Sequence, residues 1–168
     1  MSVRLWPETL YYSNSEWPIP DTGWLMLGAV CGPFTGYSIV QLDVELALAN
    51  SGRQVISIIL VDTDTDEVLQ QWTVDSNDLS APADWIELIC DVPFAYIGQY
   101  LAVGISKLSG DSGTVVWRHY DDGESIYQRQ AKIWGVTLPF KPKNPTPTNA
   151  ATGKSLGTAT LSWQVGTE

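Results

Sequence analysis

Three aspartates at alternate positions, Asp62, Asp64 and Asp66, open the segment DTDTDE. That spacing matches the first ligand positions of an EF-hand calcium loop, where hard oxygen donors surround a hard cation. The match then stops. The sixth position is Glu67, where the loop needs glycine, and the twelfth is Thr73, where it needs a bidentate glutamate. The stronger reading is a hairpin turn dense in turn-forming acids, with a weak calcium site as its rival. A second segment, WRHYDDGESIY, gathers Trp117, Tyr120, Asp121, Asp122 and Tyr127. Apolar sugar faces pack on aromatic rings while polar groups bond the hydroxyls, so this loop could hold a glycan. The competing reading puts Trp117 in a core and Tyr120 and Tyr127 at its rim.

Catalytic constellations are harder to build. His119 beside Asp121 and Asp122 invites a triad, but no serine sits on a nucleophile elbow. Adjacent carboxylates on a strand point to opposite faces and so cannot flank one glycosidic bond. Gly153-Lys154-Ser155 lacks the rest of a phosphate loop. The expectation is a chain that is not an enzyme and needs no cofactor.

Composition points the same way. There are 8 Trp and 7 Tyr but only 2 Met and one His, a stock suited to binding or scaffolding. Nine basic residues against 19 acidic ones give a formal net charge of -10, which argues against nucleic acid as a partner. Apolar residues make up 44% of the 168, enough for a sizeable core. MSVRLWPETLYY contains Arg4 but no apolar run after it, so no secretory signal peptide is expected. No stretch is long enough to span a membrane as a helix. Cys31 and Cys90 lie in apolar runs and are expected as reduced, buried thiols, with a disulfide the lesser reading.

These residues must sit on strands, because no window has the period of an amphipathic helix. YSIVQLDVELAL (37–48) alternates, with Gln41, Asp43 and Glu45 between apolar residues. QVISIILVDTD (54–64) is dense in β-branched residues, as a central strand is. EVLQQWTVD, WIELICDVPF, GQYLAVGIS, TVVWRHYDD and IYQRQAKIWGVTL follow, with Gly, Pro, Asp and Asn between them. The spacing predicts an all-β sandwich of roughly eight strands in two antiparallel sheets. Val44, Leu46, Ile56, Ile58, Leu60, Ile86, Leu88, Leu101, Val103 and Ile105 are expected to fill most of the core. Residues 1–33, with three Trp among four Pro, read as an extended arm, 34–138 as the sandwich, and 139–168 as a proline-rich linker and a terminal strand.

Over 28–138 the chain resembles a jelly-roll module found in bacteriophage structural proteins and in multi-domain extracellular bacterial proteins. GPFTGYSIVQLDVELAL matches the family's opening "tItsV.L.L". QVISIILVDTDTDEVLQQWTVDSNDL matches "V.VsIyd.d.g.vl.s.tvd...l". DWIELICDVPFAYIGQYLAVGISKLSGDSGTVVWRHYDDGESIY matches the segment that ends in "WryD.g..Y". Gln128, Arg129 and Gln130 replace the glycines usual after it, so a loop built on those glycines is not carried over. The resemblance implies a non-enzymatic structural protein of a virus particle: a bacteriophage decoration, fibre-base or tail component, made in the host cytoplasm and located in the virion. Its expected partners are other virion proteins or copies of itself, with host surface glycans a further class. The alternative is a carbohydrate-binding or adhesion module that uses the aromatic-acidic loop. NPTPTNAATGKSLGTATLSWQ resembles the first strand of a fibronectin type III or related immunoglobulin-like domain. There Leu161, Trp163 and Val165 share one face. This tail is expected to pair as a strand, more with another chain than with its own sandwich.

Overall fold

The structure is a computed structural model that describes residues 1–6, 15–31, 33–79, 84–98, 100–120, 128–129, 131–137, 143–146 and 162–164. The chain divides into two compact units, Met1–Thr137 and Leu138–Glu168. In the first unit the strands are β1 (Val3–Trp6), β2 (Ser15–Pro18), β3 (Leu25–Cys31), β4 (Tyr37–Leu48), β5 (Gln54–Asp62), β6 (Glu67–Asp75), β7 (Asp84–Ala95), β8 (Tyr100–Gly110), β9 (Val115–Tyr120), β10 (Gln128–Arg129) and β11 (Ala131–Thr137). A short 3-10 turn, Ser76–Asp78, is capped by the Asp75 carboxylate. All described pairings are antiparallel, and they form two sheets in this unit. A seven-stranded sheet runs β1-β11-β4-β9-β10, with β2 added on β9 and β7 on β4; a four-stranded sheet runs β3-β8-β5-β6.

Apolar side chains from both sheets form one core cluster. Leu42, Val44, Leu46, Ile56, Ile58, Leu60, Leu101, Val103 and Ile105 all belong to it. Of the ten residues expected there, nine are buried and Ile86 is half-buried against them. The two sheets are also cross-linked by polar groups. Gln54 of β5 is fully buried, and its side-chain oxygen accepts from the Val115 N–H of β9 at 2.7 Å. The Trp72 indole N–H of β6 donates to the Ile89 carbonyl of β7 at 2.8 Å. Buried polar groups need such partners, because an unmade hydrogen bond there costs about 1–3 kcal/mol.

Within the arm expected over 1–33, three described stretches are sheet strands. β1 pairs with β11, β2 with β9 and β3 with β8. Its prolines disguised this: Pro18 ends β2, a strand paired only on its β9 side, where a missing N–H removes no ladder bond. Ion pairs pin the same segment, Glu16 to Arg118 at 2.9 Å and Asp21 to Lys107 at 2.8 Å. Ile19 is part of the core.

In the second unit, β12 (Lys143–Thr146) pairs antiparallel with β13 (Ser162–Gln164), Lys143 opposite Gln164 and Thr146 opposite Ser162. Part of the proline-rich linker is therefore a strand, and the tail strand pairs with it along one edge. Pro145 falls where the register is irregular, one of the positions that tolerates a residue without an N–H. Trp163 lies in β13; Leu161 and Val165, and the side chain of Trp163, lie outside the described residues.

Candidate functional site

The described residues include the acidic segment singled out in the sequence and part of the aromatic one. Trp117 is fully buried in the core, with no ring face left for a sugar. Tyr120 ends β9 opposite Gln128, and its side chain, with Asp121, Asp122 and Tyr127, lies outside the described residues. Asp62, Asp64 and Asp66 sit at the β5–β6 hairpin. The Asp62 carboxylate accepts from the Asp64 N–H at 2.8 Å, and Asp66 adopts φ 56°, the left-handed region that aspartate tolerates in turns. Among the described residues no three His, Cys, Asp or Glu side chains are placed to hold a metal ion. Cys90 is a buried free thiol, and burial, with the Asp91 charge adding to it, pushes its pKa up to about 11.

A different constellation forms on the outer face of the seven-stranded sheet. The phase of β4 creates it. Ile39 and Leu42 are both buried although three residues apart, which an unbroken strand forbids. Against β11, Gln41 pairs with Trp134 and Ile39 with Gly135, so Val40 is an extra residue in β4. This bulge resets the alternation, and from there Gln41, Asp43 and Glu45 face out while Leu42, Val44 and Leu46 face in.

The register then assembles rows across strands. Arg4, Trp134, Gln41 and Ile89 form one row; Lys132, Asp43 and Glu87 the next; Glu45 and Trp85 the third. Hydrogen bonds tie the rows together. The Asp43 side chain, only 4% exposed, accepts from the Trp134 indole N–H at 2.6 Å and from the Gln41 amide N–H at 2.6 Å. Because the Gln41 amide nitrogen must face a carboxylate, its carbonyl oxygen faces away, free to accept. The Lys132 ammonium stands 3.4 Å from the centre of the Trp85 ring, a cation–π contact. Burial lowers the Lys132 pKa from the ordinary lysine value; Arg4 pushes the same way, and Asp43, Glu45 and Glu87 oppose it. Trp85, Trp134, Gln41 and Lys132 are all half-buried. Beyond Arg4 an open depression of about 430 Å³ continues between β1 and the turn before β4, lined by Leu5, Phe34 and Tyr37.

This face offers two aromatic rings, an oriented amide, an ammonium and exposed carboxylate. Its most buried carboxylate is held by two donors, and rings set beside polar groups suit contact with a polar ligand that has apolar faces. Alternation marked Gln41, Asp43 and Glu45 as outward residues. Their meeting with Trp85, Trp134 and Lys132, far away in sequence, depends on register across three strands.

Comparison of the chain with protein-family models, with curated proteins and with solved structures finds no match to any of them.

Proposed function

We propose that this chain is a non-enzymatic structural protein of a virus particle, a decoration, fibre-base or tail component of a bacteriophage, built on a jelly-roll-like β-sandwich. The observation that carries the reading is the tandem of two compact units, Met1–Thr137 and Leu138–Glu168, each with antiparallel strand pairing among its described residues. Support for the sandwich comes from the chain order: β3 to β4, β4 to β5, β6 to β7, β7 to β8 and β8 to β9 each change sheet, around one shared core. The resemblance over 28–138 supplies the particle context. Among the described residues no helix is long and apolar enough to cross a membrane.

In this reading the first unit is the rigid body and the second joins neighbours. Static light scattering on the full chain and on residues 1–137 tests it. The full chain should self-associate, and the shortened one should stay folded and monomeric. A full chain that is monomeric at high concentration, or a shortened chain that associates equally well, overturns the assembly role of the second unit.

A further inference from the structure

We propose that the outer face of the seven-stranded sheet is a binding site for a neutral oligosaccharide, formed by Trp85, Lys132, Asp43, Gln41 and Trp134. The argument starts from spacing. Trp134 and Trp85 stand on strands flanking β4 and two rows apart. Strand geometry separates their backbones by roughly 10 Å across the sheet and roughly 14 Å along it. A single sugar cannot touch both rings; a chain of several can, reaching Trp134 near one end and, near the other, the part of the half-buried Trp85 ring that Lys132 does not cover.

Between the rings the polar groups are already held in place. Asp43 fixes Gln41 and Trp134 through two short hydrogen bonds. The Gln41 carbonyl oxygen is left as an acceptor and its second amide N–H as a donor. Lys132, held over Trp85, adds further donors. Fixed donors and acceptors beside apolar rings suit a ligand with hydroxyls at its edge and C–H groups on its faces, since little side-chain freedom is lost on binding.

Charge narrows the class. The face carries two cations, Arg4 and Lys132, and three carboxylates, Asp43, Glu45 and Glu87. An anionic chain would meet a surplus of negative charge here, on a protein whose formal net charge is -10. A cationic one would have to settle beside Lys132. A neutral saccharide meets neither obstacle.

The test is isothermal titration calorimetry of the full chain at neutral pH. The probes are hexasaccharides of β-linked glucose, xylose, mannose and N-acetylglucosamine, with an oligogalacturonate of equal length as the anionic probe. At least one neutral probe should bind. Trp134→Ala and Trp85→Ala should each weaken that binding by roughly tenfold or more, about 1.4 kcal/mol. Trp24→Ala, on the other sheet, should leave it within about twofold. Should Trp134→Ala lower Tm sharply, Trp85→Ala decides, because Trp85 lies on β7, which among the described residues pairs only with β4. The proposal fails if no neutral probe binds, if the oligogalacturonate binds more tightly, or if binding survives Trp85→Ala or is lost in Trp24→Ala.

Discussion

The two sheets turn opposite kinds of surface outward. On the four-stranded sheet one row reads Met26, Gly104, Ile59 and Gln71, with no charge in it. A Cβ on Gly104 would lie 2.7 Å from the Met26 sulfur, 3.0 Å from Ile59 Cγ1 and 3.2 Å from Trp24 Cε3. Trp24 and Met26 therefore lean across the glycine, and the neighbours beneath them are covered: Ser57 is fully buried and Ala102 only 3% exposed. On the seven-stranded sheet the corresponding row reads Arg4, Trp134, Gln41 and Ile89. Here the side chains are tied by polar contacts, Trp134 and Gln41 to Asp43 by hydrogen bonds and Lys132 across β4 to the Trp85 ring. One face completes itself by packing, so its aromatics are spent on its own glycine. The other completes itself by polar bonding, which leaves ring surface and hydrogen-bonding capacity for a ligand.

What both faces share is the core, and the largest effect belongs there. Ile58→Ala should cost about 2–5 kcal/mol in denaturant unfolding, the usual cost of truncating a buried isoleucine. A loss below about 1 kcal/mol would mean that the two sheets do not close over Ile58. Gly104→Val then probes the packed face alone. Its branched side chain would have to displace Met26, Ile59 and Trp24, an overpacking cost of about 1–3 kcal/mol. Adding Trp24→Ala should return part of that, and a double variant as unstable as the sum of the two singles would show that Trp24 does not cover the glycine.

The polar face answers to a different substitution. Asp43→Ala leaves the Trp134 indole N–H and the Gln41 amide without their acceptor, at a cost of about 1–3 kcal/mol. Asp43→Asn should cost less in stability, because Gln41 can turn its amide over to meet the new NH₂ group. If the saccharide proposal holds, it should still weaken binding, since the turned amide presents its atoms in exchanged positions. Equal stability losses for the two substitutions would show that Gln41 is not free to turn.

How far the sequence revealed these faces follows from the range of each interaction. Local alternation was enough for β4 beyond Val40, where Gln41, Asp43 and Glu45 stand between Leu42, Val44 and Leu46; β5 and β8 were legible instead as dense apolar runs, buried along most of their length. Alternation was not enough at Val40, since a bulge is a mismatch between strands and leaves no mark on one of them. The N-terminal strands hid behind Pro18 and Pro20, which read as an arm when the partner strands are unknown. Trp117 was legible as a core aromatic, the stronger reading of its segment, and it is buried together with His119 and Val115, two residues to either side of it. Trp134 and Asp43 could not be paired in advance, because 91 positions separate them.

Alkaline pH sets the faces against the interior. The Cys90 thiol titrates near 11 in the fold against an ordinary value of 9.0. A raised pKa means stability that is whole below pH 9 and is lost as pH climbs toward 11, about 1–1.5 kcal/mol by pH 10. Lys132 acts in the other direction: its folded pKa is lowered, so the cost of its buried charge is relieved as pH rises through that pKa toward 10.5. Cys90→Ala should therefore flatten the fall in Tm between pH 8 and pH 10, and Lys132→Met should steepen it. The reverse pair of slopes would mean that the buried thiol and the half-buried ammonium have been assigned to the wrong environments.

The smallest effect is expected at the β5–β6 hairpin, which belongs to neither outer face. Its acids already have structural work. Asp62 accepts from the backbone N–H of Asp64, and Asp66 supplies the left-handed residue that closes the turn before Glu67 pairs back to Asp62. A carboxylate that stabilises a turn this way is one ligand short for calcium, which takes six to eight oxygens, and the glutamate that would close the loop is replaced by Thr73. An incomplete site of this kind binds in the millimolar range or weaker. Ligand present at its own dissociation constant stabilises a fold by about 0.4 kcal/mol. For a unit of this size that is a rise in Tm of about 1–2 °C. Thermal unfolding in 1 mM calcium and in chelator should therefore differ by no more than a degree or two. A rise of several degrees that disappears in Asp64→Asn would make the turn a calcium site and give the molecule a third surface to account for.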